Sequence, residues 1–156
     1  MLGIDPGLVG TGYGVIEVAA GRTAVLDAGV IETSAQSALD ERLRLIYEGV
    51  RGLLDTYGPV ALVLEDLYSE YEFPRTALLM AHARGVVCLA ARQRGVAVLA
   101  LAPAVIKRVI AGHGAASMEQ VQQGVRRLLG LAEVPRPSHV ADALAPSPSP
   151  AWRCSS

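Results

Sequence analysis

Four side chains in this sequence could together hold a divalent cation. Asp5 closes a short apolar stretch, Leu2-Gly3-Ile4, and Glu65 closes another, Val60-Ala61-Leu62-Val63-Leu64. His139 and Asp142 stand three residues apart, on one face of a short helix expected from His139 to Ala145. Three carboxylates and an imidazole from distant segments suit a hard cation. Oxygen ligands neutralise its charge while open positions remain for water and a phosphate. Taken singly each is a weak signal. Asp5-Pro6-Gly7 is also an ordinary turn, and a lone histidine on a helix is more often a surface or core residue. His82 and His113 are read that way. A site forms only if the elements bring the four together.

The elements follow from periodicity and turn chemistry. The strand ending at Asp5 turns at once through Pro6-Gly7 into a second strand, Tyr13 to Val18, and Thr23 to Ile31 completes an antiparallel meander. Leu43, Ile46, Val50, Leu53 and Leu54 mark one face of a helix from Leu39 to Tyr57, ended by Gly58-Pro59. The continuous apolar run Val60 to Leu64 is expected to be a strand buried on both faces.

A loop over Leu67 to Arg75 carries Tyr68, Tyr71 and Phe73, which either anchor the loop to the core or face a ligand. A helix rich in small residues spans Thr76 to Arg94, and a fifth strand spans Val96 to Leu101. Pro103 opens a helix through Ile110, and Ser117 caps another running to Leu129. Pro135-Arg136-Pro137 breaks that helix, and Ser138 caps the last one. The order of strands and helices indicates an α/β fold with a central mixed sheet. In such sheets, sites form outside strand ends, where Asp5 and Glu65 stand.

Composition narrows the class. With 156 residues, 51% apolar and 19% charged, the chain supports one domain with a core. No run has the length and purity of a membrane span, and no basic segment with a cleavage site opens the sequence, so a soluble cytoplasmic protein is expected. Cys88 and Cys154 have no metal-ligand spacing. The net charge of −1 neither advertises nor excludes a nucleic-acid partner, since clustered carboxylates cancel arginines elsewhere. Lys107 is the only lysine.

Several segments resemble the RuvC family of Holliday junction resolvases. They are Leu2 to Gly14, Glu65 at its strand end, Ala83-Arg84-Gly85-Val86, the helix around Lys107, Gln120-Val121-Gln122, and Ala141-Asp142-Ala143-Leu144-Ala145. Their order and spacing match the family from residue 2 to residue 145. The resemblance implies a ribonuclease H-like mixed five-stranded sheet flanked by helices, over residues 1–145, while the Pro/Ser-rich composition of 146–156 makes a disordered tail the expectation there. It implies a homodimer that nicks two opposed strands of four-way junction DNA, in company with the RuvA–RuvB branch-migration complex.

Asp5, Glu65, His139 and Asp142 would then hold two Mg²⁺ ions, roughly 3.5–4 Å apart as in other two-metal sites. Lys107 would act at the DNA backbone, Tyr68 would meet junction bases, and Arg75 and Arg108 are further candidate DNA contacts. The position of His139 holds aspartate in some members of the family. Imidazole there is softer than carboxylate, so Mn²⁺ is expected to support activity too.

Three departures from the family pattern stand out. Met118 replaces a second lysine, so Arg108, Arg126 or Arg127 would have to supply that contact. The first strand begins almost at Met1. The Pro/Ser tail interrupts a helix that the family continues past the last aspartate. Two other functions compete with the nuclease. An actin-like ATPase or sugar kinase also opens on a phosphate-holding hairpin, but needs two lobes to enclose its nucleotide. A branched-DNA-binding module would grip junctions without cutting them.

Overall fold

In a computed structural model of the chain, residues 1–66 and 74–129 are described. The expected loop carrying Tyr68, Tyr71 and Phe73 lies outside them, as do the helix of His139 and Asp142 and the tail 146–156. Five strands form one mixed sheet: β1 (Leu2–Asp5), β2 (Gly10–Ala19), β3 (Arg22–Glu32), β4 (Ala61–Glu65) and β5 (Ala97–Leu101). Their order across the sheet is β3-β2-β1-β4-β5, with β1 to β3 antiparallel and β1, β4 and β5 parallel. The helices are α1 (Leu39–Tyr57), α2 (Pro74–Gln93), α3 (Pro103–Ala111) and α4 (Met118–Leu129).

The helices divide between the two faces as the strand period dictates. Leu2 and Ile4 of β1 and Leu62 and Leu64 of β4 pack with Ile46, Val50 and Leu54 of α1 and Ala83, Val87, Ala90 and Ala91 of α2. Ile16 packs instead with Ile106 and Ile110 of α3 and Val121 and Val125 of α4. Burying each of these leucine, isoleucine and valine side chains stabilises by roughly 1.5–3 kcal/mol.

Local chemistry sets the ends. Gly58 takes the left-handed conformation at φ 50° and its N–H donates to the Leu54 carbonyl, closing α1. Ser117 and Gln120 cap α4 reciprocally: Ser117 N–H donates to Gln120 Oε1 at 2.9 Å and Gln120 N–H to Ser117 Oγ at 3.3 Å.

Several ends differ from the sequence reading by one to three residues, β2 most of all, which begins at Gly10 rather than Tyr13. β4 begins at Ala61, where its pairing with Ala97 of β5 starts, and Val60 before it is 84% exposed. α2 begins at Pro74 rather than Thr76, since proline suits the first helical position.

A carboxylate ties the β2–β3 hairpin to α1. Tyr57 donates to Asp27 Oδ2 at 2.9 Å and Tyr13 to the same oxygen at 3.2 Å. Burial and then the Asp27 charge push the Tyr13 phenol up, so it stays a donor across the working pH range.

Candidate active site

β1 and β4 are neighbouring parallel strands in the register Leu2↔Leu62, Gly3↔Val63, Ile4↔Leu64. Asp5 and Glu65 are each the next residue along. They therefore close their strands side by side, at the roughly 4.8 Å spacing of paired strands. Alternation places both on the face opposite Ile4 and Leu64, the side covered by α3 and α4. Leu101, which pairs with Glu65, packs on that same side. Two half-buried carboxylates on one face repel each other, and a divalent cation between them would offset that repulsion. Sixty residues of chain separate the pair, and the sheet order brings them together.

The donor set fits a hard cation as far as it is described. Among the described residues no three of His, Cys, Asp and Glu converge. Asp5 and Glu65 are thus two ligands of a cage whose other expected members, His139 and Asp142, lie outside the described residues.

Each carboxylate sits on a restrained backbone. Beyond Asp5 the chain turns tightly, and a Cβ on Gly7 would stand 2.4 Å from the Gly10 carbonyl oxygen. Glycine is required there by close approach. Behind Glu65, Arg84 reaches from α2, donating from Nη1 to the Glu65 carbonyl and pairing with Asp66 at 3.1 Å. The Asp66 N–H donates to the Leu101 carbonyl at 2.8 Å, which holds the end of β4 against β5. Sequence reasoning gave Arg84 no role. Nothing local in the sequence marks it, because its partners are a main-chain carbonyl and an acid 18 to 19 residues away.

Lys107 lies on α3, four residues from the helix start and so about 6 Å along its axis. Its neighbour Ile106 and Ile110 one turn on are buried against the sheet, which leaves Lys107 half-buried on the carboxylates' side. Arg108 and Arg127 are exposed on α3 and α4. Arg127 also lines an open cleft of about 320 Å³ with Ala111, Glu119, Gln120 and Gln123.

Charge is arranged differently on the two sides of the sheet. Arg44 pairs with Glu41 and Glu48, and Arg94, just past α2, pairs with Asp55. Lys107, Arg108 and Arg127 make no ion pair with another described residue. The small net charge therefore hides cations available on the carboxylate side. Arg75 falls in the first turn of α2, a helix that packs on the opposite face of the sheet from α3 and α4; Tyr68 lies outside the described residues.

Against this geometry, the family model described as "Crossover junction endodeoxyribonuclease RuvC" matches residues 1–147. The chain belongs to the RuvC family. A RuvC crossover junction endodeoxyribonuclease from Rhodopirellula baltica is 46% identical over 145 residues, spanning 93% of this chain and 82% of the relative. The solved structure of Thermus thermophilus RuvC in complex with Holliday junction substrate is similar at a TM-score of 0.86 and 40% identity. That match covers 93% of this chain and 88% of the other. A yeast mitochondrial Holliday junction resolvase, at 13% identity and a TM-score of 0.65 over 93% of this chain and 74% of its own, shares the fold.

The fold is the ribonuclease H-like arrangement expected from the sequence. As a RuvC member the chain is an endodeoxyribonuclease of the Holliday junction resolvase kind, and RuvC enzymes are divalent-metal-dependent nucleases. The ATPase lobe and the non-cleaving module fall behind this reading. No helix among the described residues is long and apolar enough to cross a membrane.

Proposed function

We propose that the chain resolves four-way DNA junctions by paired nicks, using two Mg²⁺ ions held by Asp5, Glu65, His139 and Asp142. The observation that supports this most is the placement of Asp5 and Glu65 as adjacent residues of parallel neighbours, on one face. Bound divalent ions would supply an activated water and stabilise the departing alkoxide. The side chains have complementary tasks. The carboxylates hold and orient the metals, and Lys107 adds a point charge on a flexible stem at the scissile phosphate. Arg108 and Arg75 grip the backbone, and Tyr68 stacks on a junction base. The imidazole of His139 lets Mn²⁺ serve as well. The work is done in the cytoplasm beside RuvA–RuvB.

Incubation with a synthetic four-way junction and a linear duplex of matched sequence, with and without Mg²⁺, tests this. Symmetric nicks in the junction alone, dependent on metal, are expected. Junction binding with no cleavage in Mg²⁺ would leave a binding module.

Paired nicks need two sites related by a two-fold axis, and α2 presents a face suited to a second copy. Leu78, His82, Gly85 and Leu89 recur at helical spacing and are exposed, with Leu78 at 63% and Leu89 at 50%. Ala83, Val87 and Ala91 on the opposite face are buried. Outside its own helix, no described residue comes within 4 Å of where a Gly85 Cβ would stand, so another helix has room to approach. Light scattering over a dilution series should give about twice the 16.3 kDa chain mass, and Leu89→Arg should give the monomer. A wild-type monomer that still nicks both strands would refute the dimer.

A further inference from the structure

Among the described residues, the buried polar side chains are two threonines, Thr11 with no exposure and Thr33 with 8%. Both serve one turn. Thr11 Oγ1 donates to the Gly7 carbonyl at 2.7 Å, and Thr33 Oγ1 donates to the Leu8 carbonyl. The Thr33 N–H donates to the Val9 carbonyl at 2.9 Å. Three successive carbonyls of the turn leading out of Asp5-Pro6 are therefore held from the strand that follows and from the loop beyond β3.

The direction of the Thr33 hydroxyl is itself set. Arg42 Nε lies 3.1 Å from Thr33 Oγ1. A guanidinium only donates, so Thr33 accepts from Arg42 and its own proton is left for Leu8. Arg42 stands in the first turns of α1, half-buried. A relay thus runs from α1 through one hydroxyl to the turn beside the candidate metal ligand. Groups bonded directly to a metal ligand fix its orientation; this relay acts one step further out, on the backbone of the turn that leads away from Asp5.

We propose that Thr33, oriented by Arg42, is a positioning residue for the nuclease. It locks the Gly7–Val9 turn and so holds the Asp5 carboxylate level with Glu65 for metal. The proposal rests on the reading of Asp5 as a metal ligand. The simpler alternative is that the relay only joins loop to hairpin and contributes stability.

Mn²⁺ binding to the DNA-free protein, measured by calorimetry beside thermal melting, separates the two. Thr33→Val keeps the shape and removes the hydroxyl. It should weaken Mn²⁺ binding by about tenfold, the lower end of the ~10–100-fold cost of losing an outer-shell partner. Thr33→Ser should restore binding toward the wild-type value. Arg42→Ala, near the surface and without a core defect, should weaken Mn²⁺ binding in the same direction if Thr33→Val does not fold. A Thr33→Val or Arg42→Ala protein that melts lower but binds Mn²⁺ like the wild type would overturn the proposal. Asp5→Asn is measured alongside. If it binds Mn²⁺ normally, the reading of Asp5 fails and the proposal falls with it. If Asp5→Asn weakens binding and the Thr33 and Arg42 variants do not, only the positioning role falls.

Discussion

Replacing Asp5 by asparagine, or Glu65 by glutamine, should slow junction cleavage by more than the ~10–100-fold that follows loss of groups that merely orient a ligand. Both changes keep the side chain's shape and remove its charge, so the strand ends should stay in place. The two residues stand abreast on β1 and β4 and share one face. Removing either carboxylate lowers the negative charge of the same cage by one. Groups that act as a unit are not additive, so the double variant should be little worse than either single one. Junction affinity without metal should hold or rise, because one fewer carboxylate faces the phosphates. Single-turnover cleavage in Mg²⁺ together with metal-free gel shifts would measure both effects. Near-normal cleavage by one variant would remove that residue from the site.

What could be read from the sequence depended on whether the signal was local. α1 was legible to the residue, because apolar spacing marks its buried face and Gly58 supplies the left-handed stop. Asp5 and Glu65 were legible as strand ends next to turn signals. That they are neighbours was not carried by either segment alone; it comes from the sheet order, in which β4 lies beside β1. The supporting groups were the least legible. Thr33, Arg42 and Arg84 act through main-chain carbonyls or through one another, and a carbonyl looks the same at every residue. Thr33 finds Leu8 across 25 positions and Arg84 finds Glu65 across 19. Such pairs leave no periodic trace, and only the fold exposes them.

The asymmetry in charge has the same origin. From composition, 14 basic and 15 acidic side chains look neutral. Folding pairs Arg44 and Arg94 with nearby acids on α1, while α3 and α4 present Lys107, Arg108 and Arg127 on the side of the two carboxylates. DNA binding can then be salt-sensitive despite a net charge near zero, because counterion release depends on the local cations that meet phosphate.

The same substitution should act with opposite sign at two helical glycines. Alanine is favoured over glycine inside a helix by about 1 kcal/mol. On α1, Gly52 is exposed and, outside its own helix, no described residue comes within 4 Å of where its Cβ would stand. Gly52→Ala should therefore stabilise, by up to that amount. On α4, a Cβ at Gly124 would lie 2.5 Å from Ile110 Cγ2 and 2.6 Å from the Ile110 carbonyl oxygen. The side chain can yield, but the oxygen belongs to the α3 backbone and cannot turn aside. Overpacking of this kind costs about 1–3 kcal/mol, and two contacts this short put Gly124→Ala near the upper end. Subtracting the propensity gain leaves a net loss of about 2 kcal/mol. At 2–4 °C per kcal/mol for a chain of this size, the melting temperature should fall by roughly 4–8 °C. Adding Ile110→Ala removes the methyl but not the oxygen, so it should fail to restore the melting temperature. α3 carries Lys107, so moving it off α4 should also slow cleavage of bound junction at temperatures where the protein remains folded. A Gly124→Ala protein that melts at or above the wild-type temperature would show that α3 and α4 do not pack this closely.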